Sequence, residues 1–356
     1  MPKQLRTACA CDLEPNQMGD NEAPVVIITG GSSGIGRCTA ELFARRGWRV
    51  GLIARGQAGL RAACDDVKRL GTMTAMALAD VTDPVALEAA AACIEQALGS
   101  IDVWINCAGN GTFGRFVDTP AEEFRRVTDV TYLGTVNGTR VALQRMLPRD
   151  HGRVVNVCSA VAFRGMPLLS SYSGAKHAMR GFGQSIQAEL SQDKSKVWLT
   201  TVFPPAVNTP FFDHAVSHMG EVGRPMSPVY QPEIVAEAIY LAAMARRREM
   251  SITFTTILFS LCLRLVPGLV SRAIRKLGYS GQLTNQAESV TRHRPTLFTA
   301  SDHASPVRGA FDAQARSRST HVIILRMLAR VSGTPRRALH PGAPSATTSP
   351  ADDTSA

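Results

Sequence analysis

The chain predicts a single α/β domain on a doubly wound parallel sheet, and three observations predict it. Apolar, β-branched runs alternate with helical stretches along residues 24–250, the pattern of parallel strands joined by helices on both faces. The first run, Val25-Val26-Ile27-Ile28, leads into Thr29-Gly30-Gly31-Ser32-Ser33-Gly34-Ile35-Gly36 and then a helical pattern. That order aims backbone N–H groups and a helix N-terminus at a phosphate. The apolar share of the 356 residues, 45%, suffices for a sizeable core.

Element by element, strands are expected at Val25–Ile28, Val50–Ala54, Met73–Leu78, Val103–Asn106, Val154–Val157, Val197–Phe203 and around Ser251–Phe254. Helices fall at 37–46, 57–70, 84–98, 121–147, 172–191 and 232–245. Asp83-Pro84 is a clear helix start, with proline at the first helical position. Gly30, Gly34 and Gly36 allow a tight turn, close approach of a pyrophosphate and helix–strand packing. Gly30–Gly36, Asn106–Gly109, Ser159 and Pro204–Thr209 all follow strands, where an open α/β sheet binds its ligand.

Outside that domain, residues 1–23 lack the apolar run of a secretory signal and read as a flexible tail. Residues 251–282 read as the last strand followed by apolar and basic helices. Residues 283–356 read as a basic, largely disordered tail: from 281 to 356 there are nine arginines, no lysine and five acids, with irregular Pro, Ser, Thr and Ala from Thr334 onward.

Tyr172-Ser173-Gly174-Ala175-Lys176 carries the chemistry, with Ser159 thirteen residues before the tyrosine. On a helix, i and i+4 share a face, so the phenol and the ammonium converge. A cation about 4 Å away at an effective dielectric near 20 is worth roughly 4 kcal/mol, or about three pKa units. That shift would bring a tyrosine into the range of a general acid/base.

Thr-Gly-x-x-x-Gly-Ile-Gly, Asn106-Cys107-Ala108-Gly109, Ser159 and Tyr172-x-x-x-Lys176 together resemble the short-chain dehydrogenase/reductase family, over about residues 24–250. Val130–Gly134 and Pro205–Pro210 are similar to a bacterial subgroup of unassigned substrate. The resemblance implies a Rossmann-type fold and hydride transfer between a nicotinamide and a carbonyl or secondary alcohol. It implies Tyr172 as proton donor, Ser159 as the group that orients the carbonyl, and Lys176 on both Tyr172 and the nicotinamide ribose. It also implies a cofactor site of Gly30, Ser32, Ser33, Gly34, Ile35, Gly36, Arg37, Arg55, Asp80, Asn106, Ala108, Gly109, Val207 and Thr209, and a homodimer or homotetramer. A nucleotide-binding regulatory or scaffold protein with little turnover is the competing reading.

For the cofactor, the second strand ends Ile53-Ala54-Arg55, without the carboxylate that would bind the ribose hydroxyls of NAD. Arg55, with Arg37 and the Ser32 hydroxyl, suits a 2′-phosphate, so NADP is expected and NAD is the alternative. Three positions depart from the family pattern: Thr131 stands at the usual asparagine of the catalytic water chain, Cys107 replaces the second Asn of Asn-Asn-Ala-Gly, and Pro205 replaces a glycine. Thr131 is nonetheless kept as a catalytic candidate, through its backbone carbonyl at a helix kink. The substrate pocket is expected from Val161, Phe163 and Phe211–Tyr230, with Phe211, Phe212, Val216, Met219, Val222, Met226 and Val229 favouring a bulky apolar substrate.

Residues 252–263 form the most apolar run, too short for a bilayer span of about 20 residues. Helices covering the substrate cleft are one reading of 252–276. The other is membrane-interface contact, flanked by Arg246-Arg247-Arg248 before and Arg272, Arg275 and Lys276 after. The net charge of +10 comes without a nucleic-acid module. Eight scattered cysteines without metal-ligand spacing point to a cytoplasmic chain without disulfides or zinc.

Overall fold

The computed structural model describes residues 9–10, 23–284 and 295–331. Seven parallel strands form the sheet: β1 (Val25–Thr29), β2 (Arg49–Ala54), β3 (Thr74–Leu78), β4 (Ile101–Asn106), β5 (Arg153–Val157), β6 (Trp198–Phe203) and β7 (Glu249–Ser251). Their order is β3-β2-β1-β4-β5-β6-β7, with Cys9–Ala10 pairing antiparallel to β3 at one edge. The chain therefore winds outward from β1 to one edge, returns to β4 and winds to the other. The switch point lies between β1 and β4, where Thr29 stands level with Asn106. Loops leaving these two strands diverge to opposite faces, and that divergence opens the cleft.

Helices α1 (Gly34–Arg45), α2 (Gln57–Arg69) and α8 (Pro232–Met244) cover one face, α3 (Pro84–Leu98), α5 (Gly134–Met146) and α6 (Ser170–Gln192) the other, and the short α7 (Phe211–His214) borders the cleft. Strands buried on both faces read as continuous apolar runs; Val25 to Ile28 are fully buried, and alternate residues serve the two cores. Asp83 caps α3, its carboxylate accepting from Val85 and Ala86 N–H, with Pro84 first in the helix. At Gly36 a Cβ would collide with the Gly30 carbonyl, and at Gly30 (φ +69°) it would fall 2.7 Å from Ala108 Cα. Only glycine permits this contact between the first turn and the loop after β4.

Four expectations change. The helix expected at 121–147 is α4 (Ala121–Thr128), a π turn (Asp129–Leu133) and α5. The last strand ends at Ser251, because the Thr253 side chain accepts from Thr256 N–H and starts α9 (Phe254–Leu265), which α10 (Pro267–Ser280) follows. Cys93 is disulfide-bonded: spacing along the chain does not reveal which thiols folding brings together. The largest correction concerns 295–331, expected within a disordered tail. Ala315–Arg316 extends a small sheet through Val229–Tyr230 to Ala206–Val207, and α11 (Thr320–Val331) buries Val322 and Leu325 in the core beside α8. Amphipathic spacing of Val322 and Leu325 within a basic, Ser-rich surround accounts for it. Residues 285–294 and 332–356 of that tail, and 1–8 and 11–22 of the amino-terminal one, lie outside the described residues.

Candidate active site

The β1–α1 turn, the β4 loop, the end of β5 and the start of α6 converge on one cavity of about 680 Å³ at the carboxyl ends of the strands. Its chemical centre is Tyr172, the third residue of α6, half-buried and lining the cavity together with Ser159. Ser159 Oγ also accepts from Val161 N–H at 3.3 Å, which fixes its rotamer at the end of β5. One turn along α6, Lys176 is buried and its Nζ donates to the Val157 carbonyl at 2.8 Å. Nζ stands 5.5 Å from the Tyr172 ring centre, so the i, i+4 spacing does bring both to one wall of the cavity. Phe211 packs on the phenol, with ring centres 5.0 Å apart.

Electrostatics here depart from the expectation. Burial pushes the Tyr172 hydroxyl well above its ordinary range, outweighing the lowering effect of the nearby Ser159 side chain. Burial also lowers the Lys176 ammonium. Desolvation is the leading cause for both groups, since it disfavours whichever form is charged. Tyr172 is therefore held as a neutral phenol.

The residues expected to hold a dinucleotide separate into two sets. Gly30, Ser32, Ser33, Gly34, Ile35, Gly36, Arg55, Asp80, Ala108, Gly109, Val207 and Thr209 line the cavity with Ser159, Tyr172 and Lys176. The cradle fits a pyrophosphate: glycines leave no Cβ in the turn, and α1 begins without a side-chain cap, leaving first-turn N–H groups after Gly34 for a ligand. Asn106, Arg37 and Thr131 are not part of its lining. The Asn106 amide is spent inside the sheet, on Thr139, Asn156 and Trp104. Arg37 Nε donates to Asp66 at 2.7 Å and its Nη1 to the Ser305 carbonyl.

Thr131 is fully buried in the π turn; its hydroxyl donates to Asn110 O (3.0 Å) and accepts from Asn110 N–H (3.1 Å). It ties the β4 loop to the helix break rather than meeting Lys176 directly. Its carbonyl accepts from the Thr135 hydroxyl at 3.0 Å.

At the far end of the cavity, Arg55 pairs with Asp80 at 3.5 Å. Burial alone would raise the Asp80 carboxyl, but Arg126, the Thr82 N–H and Arg55 outweigh it and hold the group below its usual range. Arg126, on α4, also donates to Asp80 and to the Leu297 carbonyl. Nothing in the sequence around Arg126 signals this role; it depends on where α4 docks.

The substrate end is corrected in part. Val161, Phe211, Phe212 and Met226 line it as expected. Phe163 instead packs on Phe203, Val216 pairs with Thr112, Met219 and Val222 join a small core around Phe113, and Val229 is buried in the small sheet. The opposite wall comes from α9 and α10, through Thr255, Phe259, Val270, Ile274 and Leu277. These helices cover the cleft, the first of the two readings of 252–276. Their i, i+4 spacing, from Val270 to Ile274, was the available signal.

The comparisons agree with this geometry. The family described as short chain dehydrogenase matches residues 24–220. An uncharacterized oxidoreductase of Bacillus subtilis (YxnA) is 33% identical over 278 residues, 78% of each chain. The 3-dehydrosphinganine reductase of Danio rerio is 31% identical over 192 residues, 52% of this chain and 57% of that protein. Among solved structures, an actinorhodin polyketide ketoreductase variant with NADPH superposes with a TM-score of 0.59 at 26% identity, covering 65% of this chain and 95% of the other. A short chain dehydrogenase of Mycobacterium paratuberculosis bound to NAD gives 0.57 at 23% identity, covering 65% and 97%, a likeness of fold alone.

Proposed function

Because this chain belongs to the short-chain dehydrogenase/reductase family, we propose that it is an NADP(H)-dependent reductase of an apolar carbonyl compound. The observation that carries this reading is the convergence of Ser159, Tyr172 and buried Lys176 on the cavity that the glycine-rich turn enters. A bound nicotinamide would supply the hydride. Ser159 Oγ orients and polarises the substrate oxygen, and the Tyr172 hydroxyl delivers the proton to it. Lys176 holds the ribose hydroxyls and stabilises the phenolate left behind. A phenol kept neutral by burial is set for donation, which favours reduction. Arg55, with no carboxylate of its own strand at the ribose position, supports NADP over NAD.

Purified full-length protein with NADPH or NADH and a panel of apolar ketones, followed by nicotinamide absorbance, tests this. Turnover with NADPH at a lower KM than NADH is expected. Ketone-dependent oxidation of neither cofactor would favour the regulatory reading.

A second reading places the enzyme on an anionic bilayer. Phe254, Leu258, Leu261 and Leu265 form one outward stripe of α9, between 49% and 70% exposed, with no acid from 250 to 284 and with Arg264, Arg272, Arg275 and Lys276 beside it. Such a face suits the headgroup boundary; a two-fold copy would bring no acid to these cations. Arg246–Arg248 do not contribute, since they precede β7 at the opposite end of the sheet. No helix among the described residues is long and apolar enough to cross a membrane. Flotation with phosphatidylglycerol vesicles, lost in Leu258→Ser/Leu261→Ser, supports this reading; size-exclusion dimers lost in that variant instead would show a self-association face.

A further inference from the structure

Residues 295–312 run along the rim of the cleft's far end and engage the groups that a dinucleotide's phosphates need. In chain order, the Thr296 carbonyl accepts from Arg55 Nη2 at 2.6 Å, and the Ser301 carbonyl lies against Gly56. The Ser305 carbonyl accepts from Arg37 Nη1 at 2.9 Å, and the Pro306 carbonyl accepts the Gly34 N–H at 3.2 Å. Two cations, each also paired with a carboxylate (Arg37 with Asp66, Arg55 with Asp80), and a donor at the start of α1 are thus engaged by neutral carbonyls of this segment. The segment is anchored on both sides. Leu297 is buried and Thr296 N–H donates to the His214 carbonyl at 2.9 Å. Further on, the Asp312 carboxylate accepts from Asn208 and Gln231, each at 2.9 Å. The cavity continues beneath, and Thr296, Ser301, His303 and Ser305 form part of its wall.

We infer that residues 295–306 are a gate on the nucleotide, latched through Arg55 and Arg37, and that the 2′-phosphate of NADP(H) releases the latch. The latch rests on the NADP reading above. An Arg–phosphate pair is frequently bidentate, two parallel N–H···O bonds to an anion, which a single neutral carbonyl does not match. A 2′-phosphate therefore exchanges favourably with the Thr296 and Ser305 carbonyls at the two guanidinium groups. NAD(H) meets Gly34 through its pyrophosphate but offers the arginines no replacement. A ligand shifts a closed–open equilibrium only by what it gains in one state over the other, and a gate mostly shut slows entry by its open fraction.

A cross-link tests the gate. A Cβ on Gly56 falls 3.8 Å from Ala300 Cβ, the usual separation across a disulfide, about 3.8 Å. Binding of NADPH and NADH to full-length Gly56→Cys/Ala300→Cys is followed by stopped-flow nicotinamide fluorescence, with the cross-link verified by mass spectrometry. Oxidation should slow NADPH association at least about tenfold, trap cofactor loaded beforehand, and be reversed by reductant. Equal rates for the oxidised and reduced forms would overturn the gate. Leu297→Ala removes the buried side chain that anchors the segment while keeping the backbone carbonyl that accepts from Arg55 Nη1, and should speed NADH association about tenfold more than NADPH association. Equal acceleration of both cofactors would overturn the phosphate latch. An equilibrium preference near unity between NADPH and NADH in the unaltered chain would overturn the NADP reading, and the latch with it, while the cross-link still decides the gate.

Discussion

At the residue scale, Tyr172 carries the sharpest test. Tyr172→Phe removes the proton donor and should lower turnover by about 10²–10⁴-fold, while NADPH affinity, read by fluorescence titration, stays near wild type. Its pH behaviour follows from burial. The hydroxyl is raised above its ordinary range, so the protonated form that reduction needs persists as pH rises from about 6 to about 9. The reductive kcat should stay level over that interval, while oxidation of the alcohol, which needs the phenolate, should climb. A reductive profile falling near neutrality would show that Lys176 and a bound cofactor overcome the burial. The sequence made Ser159, Tyr172 and Lys176 legible because i and i+4 on a helix fix a geometry. It misled on Tyr172's acidity because desolvation depends on what else closes over the site. For Arg55, Arg55→Ala should reduce the NADPH preference by roughly 10–100-fold, the loss of a charge-assisted contact of about 1.5–3 kcal/mol. Equilibrium titration with both cofactors reads this, and an equal loss for the two would make Arg55 a support for Asp80 alone.

At the element scale, the π turn is held by the paired hydrogen bonds between the Thr131 hydroxyl and Asn110. Thr131→Val keeps the shape but strands a buried N–H and a carbonyl, a loss of about 1–3 kcal/mol. The denaturant midpoint should fall, and turnover should fall with it, because Asn110 leads from the loop that faces Lys176. Unchanged stability would mean that Asn110 finds other partners. The sequence showed one continuous helix over 121–147, since a π turn costs nothing in hydrophobic periodicity. Strand ends were legible to within two residues for the first six strands, whose apolar runs are bounded by turns. The seventh was not, because Thr253 is a good strand residue that here serves as a helix cap.

At the scale of the whole molecule, a parallel sheet with helices on both faces was readable from alternation, whereas the return of residues 295–331 to the domain was not. Several of their interactions are backbone carbonyls accepting from distant arginines, and any residue supplies a carbonyl. The few side chains that anchor them are decisive. Leu325 is buried with Val322 against α8, so Leu325→Ala should cost about 2–5 kcal/mol by equilibrium denaturation. A loss below about 0.5 kcal/mol, the scale of a surface change, would show that α11 is not part of the cooperative unit. By the same reasoning, a chain ending at Gln282 loses more than a tail.

The order of synthesis gives that return a temporal meaning. The sheet is complete once Ser251 has left the ribosome, yet Pro306, which meets Gly34, is still 55 residues away. At about 5–20 residues per second the interval is roughly 3–11 seconds. For that time the nascent domain has a finished nucleotide cleft and no rim across it. The first cofactor molecule can enter by a route that every later one finds covered.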